Sequence, residues 1–376
     1  MLGPDSLKTN EPMTISQPFR KFAGISFTLA LTVVLAACSG SDASPATSGA
    51  AGSGNAAAGS GGAGNAAAGS ASHAGSASGA CTAGSNASAG AGSEEVVGTF
   101  QVQVLADDAD PASGMTKVVG QVGDGPIPSN VIWTEAKHDG GCRLETPTVP
   151  FCATPCGADV CVADDVCQAY PAAHSVGAVT LKGVKLAAGG TEVTLKEIAH
   201  AYQPVAGTAL AFPPFGASDD VSVHADGGDY TAFDLSAKGV DPLVFTSTDF
   251  ELEDAKPLVL TWDAAGDPQS SQMHLKLDIS HHGGVKGIIE CDSDDTGTLT
   301  ISAAMISELL GLGVAGFPSV VLMRQSIDTA KIAPGLVKLE VSARAEHYVT
   351  VKGVDSCNVT ADCPDGKTCA TDSTCQ

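Results

Sequence analysis

Between residues 176 and 352 short β-type runs alternate with turn residues nearly throughout, and this punctuation constrains the fold more than any other feature of the chain. The runs fall at 176–182, 193–198, 221–224, 230–235, 258–262, 273–279, 285–291, 298–301, 319–323, 336–341 and 347–351. Between them stand Gly189-Gly190, Gly227-Gly228, Gly266-Asp267-Pro268, Gly283-Gly284 and Asp294-Asp295-Thr296-Gly297. Short strands at such spacing predict an all-β fold, an antiparallel β-sandwich of immunoglobulin-like type. One short helix is expected over 303–310, with Ser302 as its N-cap, Glu308 on its exposed side and Gly311 ending it. Strands do not alternate with helices of 10–15 residues, which argues against a parallel α/β enzyme fold. Upstream, Phe100, Val102 and Val104 alternate with Thr99, Gln101 and Gln103, the period of a half-buried strand. Further strands are expected at 117–122 and 131–134, on either side of a Gly- and Pro-rich break at 123–128.

The N-terminal region says how the domain is held. Arg20-Lys21 precede an apolar run from Phe22 that closes on Leu35-Ala36-Ala37-Cys38. The run has the length of a signal-peptide core and falls short of the roughly 20 residues of a spanning helix. It resembles the lipobox of bacterial lipoproteins, which implies lipidation at Cys38, palmitate-type acyl chains and a stable membrane anchor, since two or more chains hold where one is marginal. The competing reading is an ordinary secretory signal with Cys38 falling by chance after the cleavage site. Ser39 follows the cysteine with no Asp directly after it, which points to the outer membrane. Residues 38–93 are then almost entirely Gly, Ala, Ser and Asn, and Gly54-Asn55-Ala56-Ala57-Ala58-Gly59-Ser60 nearly repeats at Gly64-Asn65-Ala66-Ala67-Ala68-Gly69-Ser70. Such a chain cannot bury enough apolar surface to offset its ordering entropy. It is expected to act as a disordered linker with a root-mean-square reach of roughly 40 Å.

The chain carries 12 cysteines, and in an exported protein these predict disulfides. Disulfide candidates are Cys142, Cys152, Cys156, Cys161 and Cys167 in one cluster and Cys357, Cys363, Cys369 and Cys375 in the other. Zinc sites usually present paired C-x₂-C motifs, and the first cluster has none. In the terminal unit the alternating pairing Cys357–Cys369 and Cys363–Cys375 is favoured over the two other connectivities. With Cys38 lipidated the remaining number is odd, so one thiol is left over, and Cys81 and Cys291 are the candidates. Net charge is -23. Removing residues 1–37 removes Lys8, Arg20 and Lys21 against Asp5 and Glu11, so the acidic excess persists. Such a surface repels phosphate backbones and excludes nucleic acid as a partner. It fits solubility at a cell surface; the sharper reading is recruitment of divalent cations.

Catalytic motifs are missing. The chain has no Gly-x-Ser-x-Gly elbow, no His-Glu-x-x-His and no phosphate-binding Gly-x-x-x-x-Gly-Lys-Ser/Thr. His281-His282 are neighbours expected to point apart; His274 across a hairpin would be needed for a metal. The run Asp292-Ser293-Asp294-Asp295-Thr296-Gly297 resembles the first half of a calcium loop, but Ala303 stands where such a loop wants Glu, so a polar turn is the expectation. Asp107-Asp108 and Asp219-Asp220 read as turns in the same way. Trp262 is expected in the core. Trp133, Tyr202-Gln203-Pro204 and Phe212-Pro213-Pro214-Phe215 are the candidates for a sugar-stacking surface. No catalytic, cofactor-binding or metal-ligating residue is assigned, and no cofactor is expected.

The lipobox, the Gly/Ala/Ser tether, the cluster Cys142–Cys167 followed by Tyr170-Pro171, the run from Cys291 into a short helix and the terminal Cys-x₅ array together resemble the cysteine-rich lipoproteins of myxobacteria and related soil bacteria. The resemblance implies location and architecture and carries no activity with it. The expected organisation is a signal peptide at 1–37, a linker at 38–93, an N-terminal β segment at 94–141, a disulfide-rich segment at 142–171, a β-sandwich domain at 172–352 and a disulfide-rich knot at 353–376. The expected function is that of a non-enzymatic binding or adhesion module, lipid-anchored in the cell envelope and facing periplasm or exterior. Its expected partners are the membrane, through the anchor, and a polysaccharide or another envelope protein. A structural spacer and a carbohydrate-active hydrolase are the alternatives.

Overall fold

The computed structural model describes residues 95–267, 270–364 and 366–376. The signal peptide, Cys38, the linker and Cys81 lie outside the described residues. What is described is mostly β, with a large mixed sheet, one short α-helix and a disulfide-rich C-terminal region. No helix among the described residues is long and apolar enough to cross a membrane.

The strands in chain order are β1 (Val96–Ala106), β2 (Gly114–Val122), β3 (Ile132–Asp139), β4 (Cys142–Thr148), β5 (Val160–Ala163), β6 (Val166–Gln168), β7 (Val179–Lys182), β8 (Glu192–Ile198), β9 (Ala201–Pro204) and β10 (Asp220–Ala225). They continue as β11 (Phe233–Lys238), β12 (Glu251–Leu252), β13 (Leu258–Thr261), β14 (Gln272–Asp278), β15 (Ile288–Ser293) and β16 (Thr298–Ile301). Helix α1 (Ala303–Gly311), β17 (Ser319–Ile332), β18 (Gly335–Tyr348) and β19 (Thr350–Val351) complete the series. Thirteen strands form one sheet in the order β11-β10-β7-β8-β9-β2-β1-β18-β17-β14-β15-β4-β3. Every neighbouring pair in it is antiparallel except β1 and β18, which run parallel from Val96↔Leu336 to Val104↔Ala343. No hairpin constrains that pair, because the whole of the chain between them is free to return on either side.

The hairpin β17–β18 is the spine. Its first half, Ser319 to Gln325 of β17, pairs with β14. Beyond Gln325 β17 has no ladder partner on that side, and the free edge of β11 meets it instead. The Ser236 amide donates to Asp328 Oδ2 at 2.7 Å and the Lys238 amide to Ser326 Oγ at 2.9 Å. Side chains of one strand thereby satisfy backbone donors of the other, and the sheet bends round until its β11 edge reaches its own middle. Phe100 of β1 then touches Phe233 of β11, with ring centroids 6.1 Å apart, although the two strands are far apart in sheet order.

Gly120 makes this closure fit. It stands opposite Phe100 on one side and Tyr202 on the other. A Cβ there would lie 2.2 Å from Phe100 Cδ1, so only glycine lets the rings of Phe100 and Tyr202 meet, at 5.8 Å, over its Cα. At the other end of the sheet the inner face of β14, β15 and β17 is covered by α1, through Met305, Ile306 and Leu309, and by Leu243, Phe250, Leu258, Leu260 and Trp262. Ser302 caps α1 as expected, accepting from the Met305 amide, and Glu308 pairs with Lys137 on the edge strand β3. That strand is bulged between Glu135 and Lys137 and lined with charge, which protects the sheet edge from pairing with other chains.

The disulfides correct one expectation and settle a pairing the sequence leaves open. Cys291 is not a free thiol; it is bonded to Cys142. Cys142, in turn, does not pair within its own cluster. The two stand directly opposite in the β4–β15 register, with Cα atoms 4.0 Å apart, so strand pairing rather than sequence proximity selects the partner. The remaining four cysteines of that cluster close locally as Cys152–Cys161 and Cys156–Cys167 around the β5–β6 hairpin. The terminal unit joins Cys357 to Cys369 and Cys363 to Cys375, the alternating pattern. All ten cysteines of the described residues are thus bonded.

Candidate functional site

The densest polar cluster lies on the outward face of β4, β14 and β15. Alternation along β4 and β15 turns Cys142, Leu144, Ile289 and Cys291 inward and Arg143, Glu145, Glu290 and Asp292 outward. The Arg143 guanidinium donates to Glu145 at 3.1 Å, Glu290 at 2.5 Å and Asp292 at 3.0 Å. His274 on β14, opposite Asp292, donates through Nδ1 to the same carboxylate at 2.8 Å. Burial opposes the charge of Arg143, but its bonds to Asp292 and Glu290 more than reverse this and raise its pKa. Burial and the neighbouring Glu290 charge hold Glu145 above the usual carboxylate range, against the pull of Arg143. The His274 bond, with help from Arg143, holds Asp292 below it against the opposing effect of burial. Each group here is committed to another, so the cluster is a polar strut joining three strands, with more carboxylates than cations.

Two carboxylates of the acidic run at 292–297 are spent in the same way. Asp292 belongs to the strut. Asp295 is buried and accepts from Arg324 Nε at 2.5 Å, Trp262 Nε1 at 2.7 Å and the Ala265 amide at 3.3 Å. Arg324 is 1% exposed, and its other donors reach the carbonyls of Asp241, Pro242 and Asp263 and the second oxygen of Asp295. Burial disfavours the Asp295 charge, yet the bonds from Arg324 and Trp262 outweigh this and leave its pKa lowered. Asp292 and Asp295 are therefore already bonded within the fold, while Asp294 is exposed. Trp262 is in the core as expected.

The histidines mostly meet carboxylates. His224 lies 2.7 Å from Asp234 and 3.2 Å from Asp226, and its pKa is raised first by the Asp234 bond. His224 and Asp234 border a shallow cleft of about 390 Å³ beside the β11–β17 seam. His174 lies 3.1 Å from Asp229. His200 lies 2.6 Å from Glu197, whose other oxygen accepts from Ser175 Oγ at 2.6 Å. That hydroxyl meets a carboxylate and not an imidazole, so the trio lacks the hydroxyl-to-base bond of an activated nucleophile. His281 and His282 do not point apart: a turn with His282 at φ 62° sets their rings 3.9 Å from one another. His274 is at the far end of β14 from them.

Two of the sugar-stacking candidates are corrected by burial. Tyr202 is fully buried in strand β9, where its hydroxyl accepts from the Val176 amide at 2.7 Å. Phe215 is buried and Phe212 partly so. Trp133 stays half-exposed on β3.

A second cleft stands where the sequence predicts only a staple. A cleft of about 500 Å³ lies against the β5–β6 hairpin, walled by Cys152, Cys156 and Cys161 and by Pro128, Pro150 and Pro155, with Tyr170 at its side. Its volume is in the range of ligand pockets. Large apolar side chains concentrate on its rim: Tyr170 is 60% exposed and Val149 57%, while Phe151, between two lining residues, is 73% exposed and Ile127, beside Pro128, 76%. Sulfur atoms of Cys152, Cys156 and Cys161 lie within 4.8 Å of one another, the spacing of a metal site, but their bonding as disulfides removes the thiolates that a metal requires. The hairpin is held to its flank by the Phe151 amide donating to Asp164 at 2.9 Å and the Ala153 amide to Asp165 at 2.8 Å. The visible clue in the sequence was the spacing of Val149, Phe151 and Tyr170 among prolines and cysteines, where no core could cover them. No known family model matches the chain, and no curated protein does either.

Proposed function

We propose that the chain is an exported lipoprotein, anchored in the cell envelope through Cys38, whose β domain is a non-catalytic binding or adhesion module. The cleft between the Cys152–Cys161 and Cys156–Cys167 bridges carries the reading. It sets exposed apolar side chains beside a doubly cross-linked hairpin, and a surface fixed before it meets its ligand loses little entropy on binding. Exposed large apolar side chains gathered about one cleft favour an interaction site. The polar clusters elsewhere are saturated by their own partners, which suits a rigid scaffold. In this reading the bent sheet, with β11 brought over β17 and Phe233 over Phe100, serves as a sandwich-like core behind the binding hairpin.

Binding of the purified mature protein to envelope fractions from cells lacking it tests this. A saturable isotherm is expected. Binding that never saturates, or none at all, would turn the account towards a spacer without a ligand.

A further inference from the structure

The chemistry around the cleft restricts what can occupy it. From residue 144 to 181 the chain has no Lys or Arg, and it carries Glu145, Asp159, Asp164 and Asp165. On the other side Pro128 and Asn130 line the cleft, and no Lys or Arg is among its lining residues. Asp159 lines the cleft, is exposed and has no ion pair among the described residues. Three of the lining residues are prolines, which offer no N–H donor. A hydroxyl-rich sugar would find few donors there. An anionic lipid surface would be repelled by the acidic rim. An apolar side chain with positive neighbours meets neither obstacle.

We propose that this cleft takes an extended segment of a protein partner that presents an apolar side chain flanked by lysine or arginine. The proposal rests on the binding reading above and names the partner class for that same site. Val149, Phe151 and Tyr170 grip the apolar anchor, and Asp159 faces the flanking cation. Rim charge governs partner choice and salt dependence more than depth of binding.

The test is selection from a displayed library of random twelve-residue peptides on the full mature protein, scored beside Phe151→Ser/Tyr170→Ser and Asp159→Lys. All three positions are exposed, and an unchanged thermal midpoint confirms that the variants fold. The enriched peptides are expected to carry Leu, Phe or Trp next to Lys or Arg. Their binding is expected to fall at least tenfold in either variant and to weaken as salt rises. No enrichment, acidic or uncharged winners, or winners that bind both variants like wild type would overturn the proposal. So would preferential binding through Tyr170 of phosphatidylglycerol vesicles or of an oligosaccharide panel. Envelope binding that survives in both variants would remove this cleft and keep the module, whereas failure of wild type to bind envelope removes both.

Discussion

Replacing Asp295 by Ala should destabilise the domain more than any surface change. The carboxylate accepts bonds from the Arg324 guanidinium, the Trp262 indole and the Ala265 amide in the interior. Its loss leaves a charged guanidinium that is 1% exposed facing only three backbone carbonyls. Breaking one side of a buried ion pair costs about 3–5 kcal/mol. At roughly 2–4 °C per kcal/mol for a domain of this size, the midpoint should drop by about 6–20 °C. The comparison that isolates the charge is Arg324→Met with Asp295→Leu, which removes both ions and should recover part of the loss. Recovery is incomplete because the carbonyls of Asp241, Pro242 and Asp263 lose their donor. Thermal unfolding with the disulfides intact, followed by tryptophan fluorescence and circular dichroism, reads all three proteins. The pH arm has a definite sign. Asp295 is held below its ordinary value in the fold, so its stabilisation is present above the unfolded carboxylate range and is lost as pH falls through the lowered value. Asp295→Ala should therefore lose part of the acid dependence. A single variant within about 1 kcal/mol of wild type, or a double variant less stable than the single, would refute the reasoning.

Other substitutions probe the strut, the fold and the staples. Glu145→Gln keeps an acceptor for Arg143 and removes repulsion from Glu290; since the Glu145 pKa is raised, the benefit should grow as pH rises through it and vanish in acid, as unfolding at several pH values would show. Gly120→Ala should cost about 1–3 kcal/mol, because its Cβ collides with the Phe100 ring, and trimming Phe100 to Leu in the same chain should return some of that in denaturant melts. Cys142→Ser with Cys291→Ser opens a loop of 149 residues, worth about 5 kcal/mol by chain entropy, and mass spectrometry of the non-reduced parent should find these two sulfurs bonded.

How much the sequence discloses depends on whether a residue's fate is local. The alternation around Phe100, Val102 and Val104 foretells β1 because one face is buried along its length. Ser302 and the apolar spacing after it foretell α1 for the same local reason. By contrast β17 reads as ending at Met323, because Arg324-Gln325 look like solvent-facing residues; Arg324 is interior only because distant loops supply its acceptors. Tyr202-Gln203-Pro204 reads as a loop on account of its proline, yet β9 is a short strand between β8 and β2 with Tyr202 in the core. The Cys142–Cys291 bond follows from a register between strands 149 residues apart, which no spacing rule contains. The cleft is not legible in the sequence because its walls are largely prolines and bridged cysteines, residues that signal turns and staples.

The most direct test of the central claim is a pair of saturation isotherms, with wild type and Phe151→Ser/Tyr170→Ser, on the same envelope preparation from cells lacking this protein. The account predicts a saturable curve for wild type and at least tenfold weaker binding for the variant at an unchanged melting temperature. Superimposable curves, or two straight lines, would contradict it.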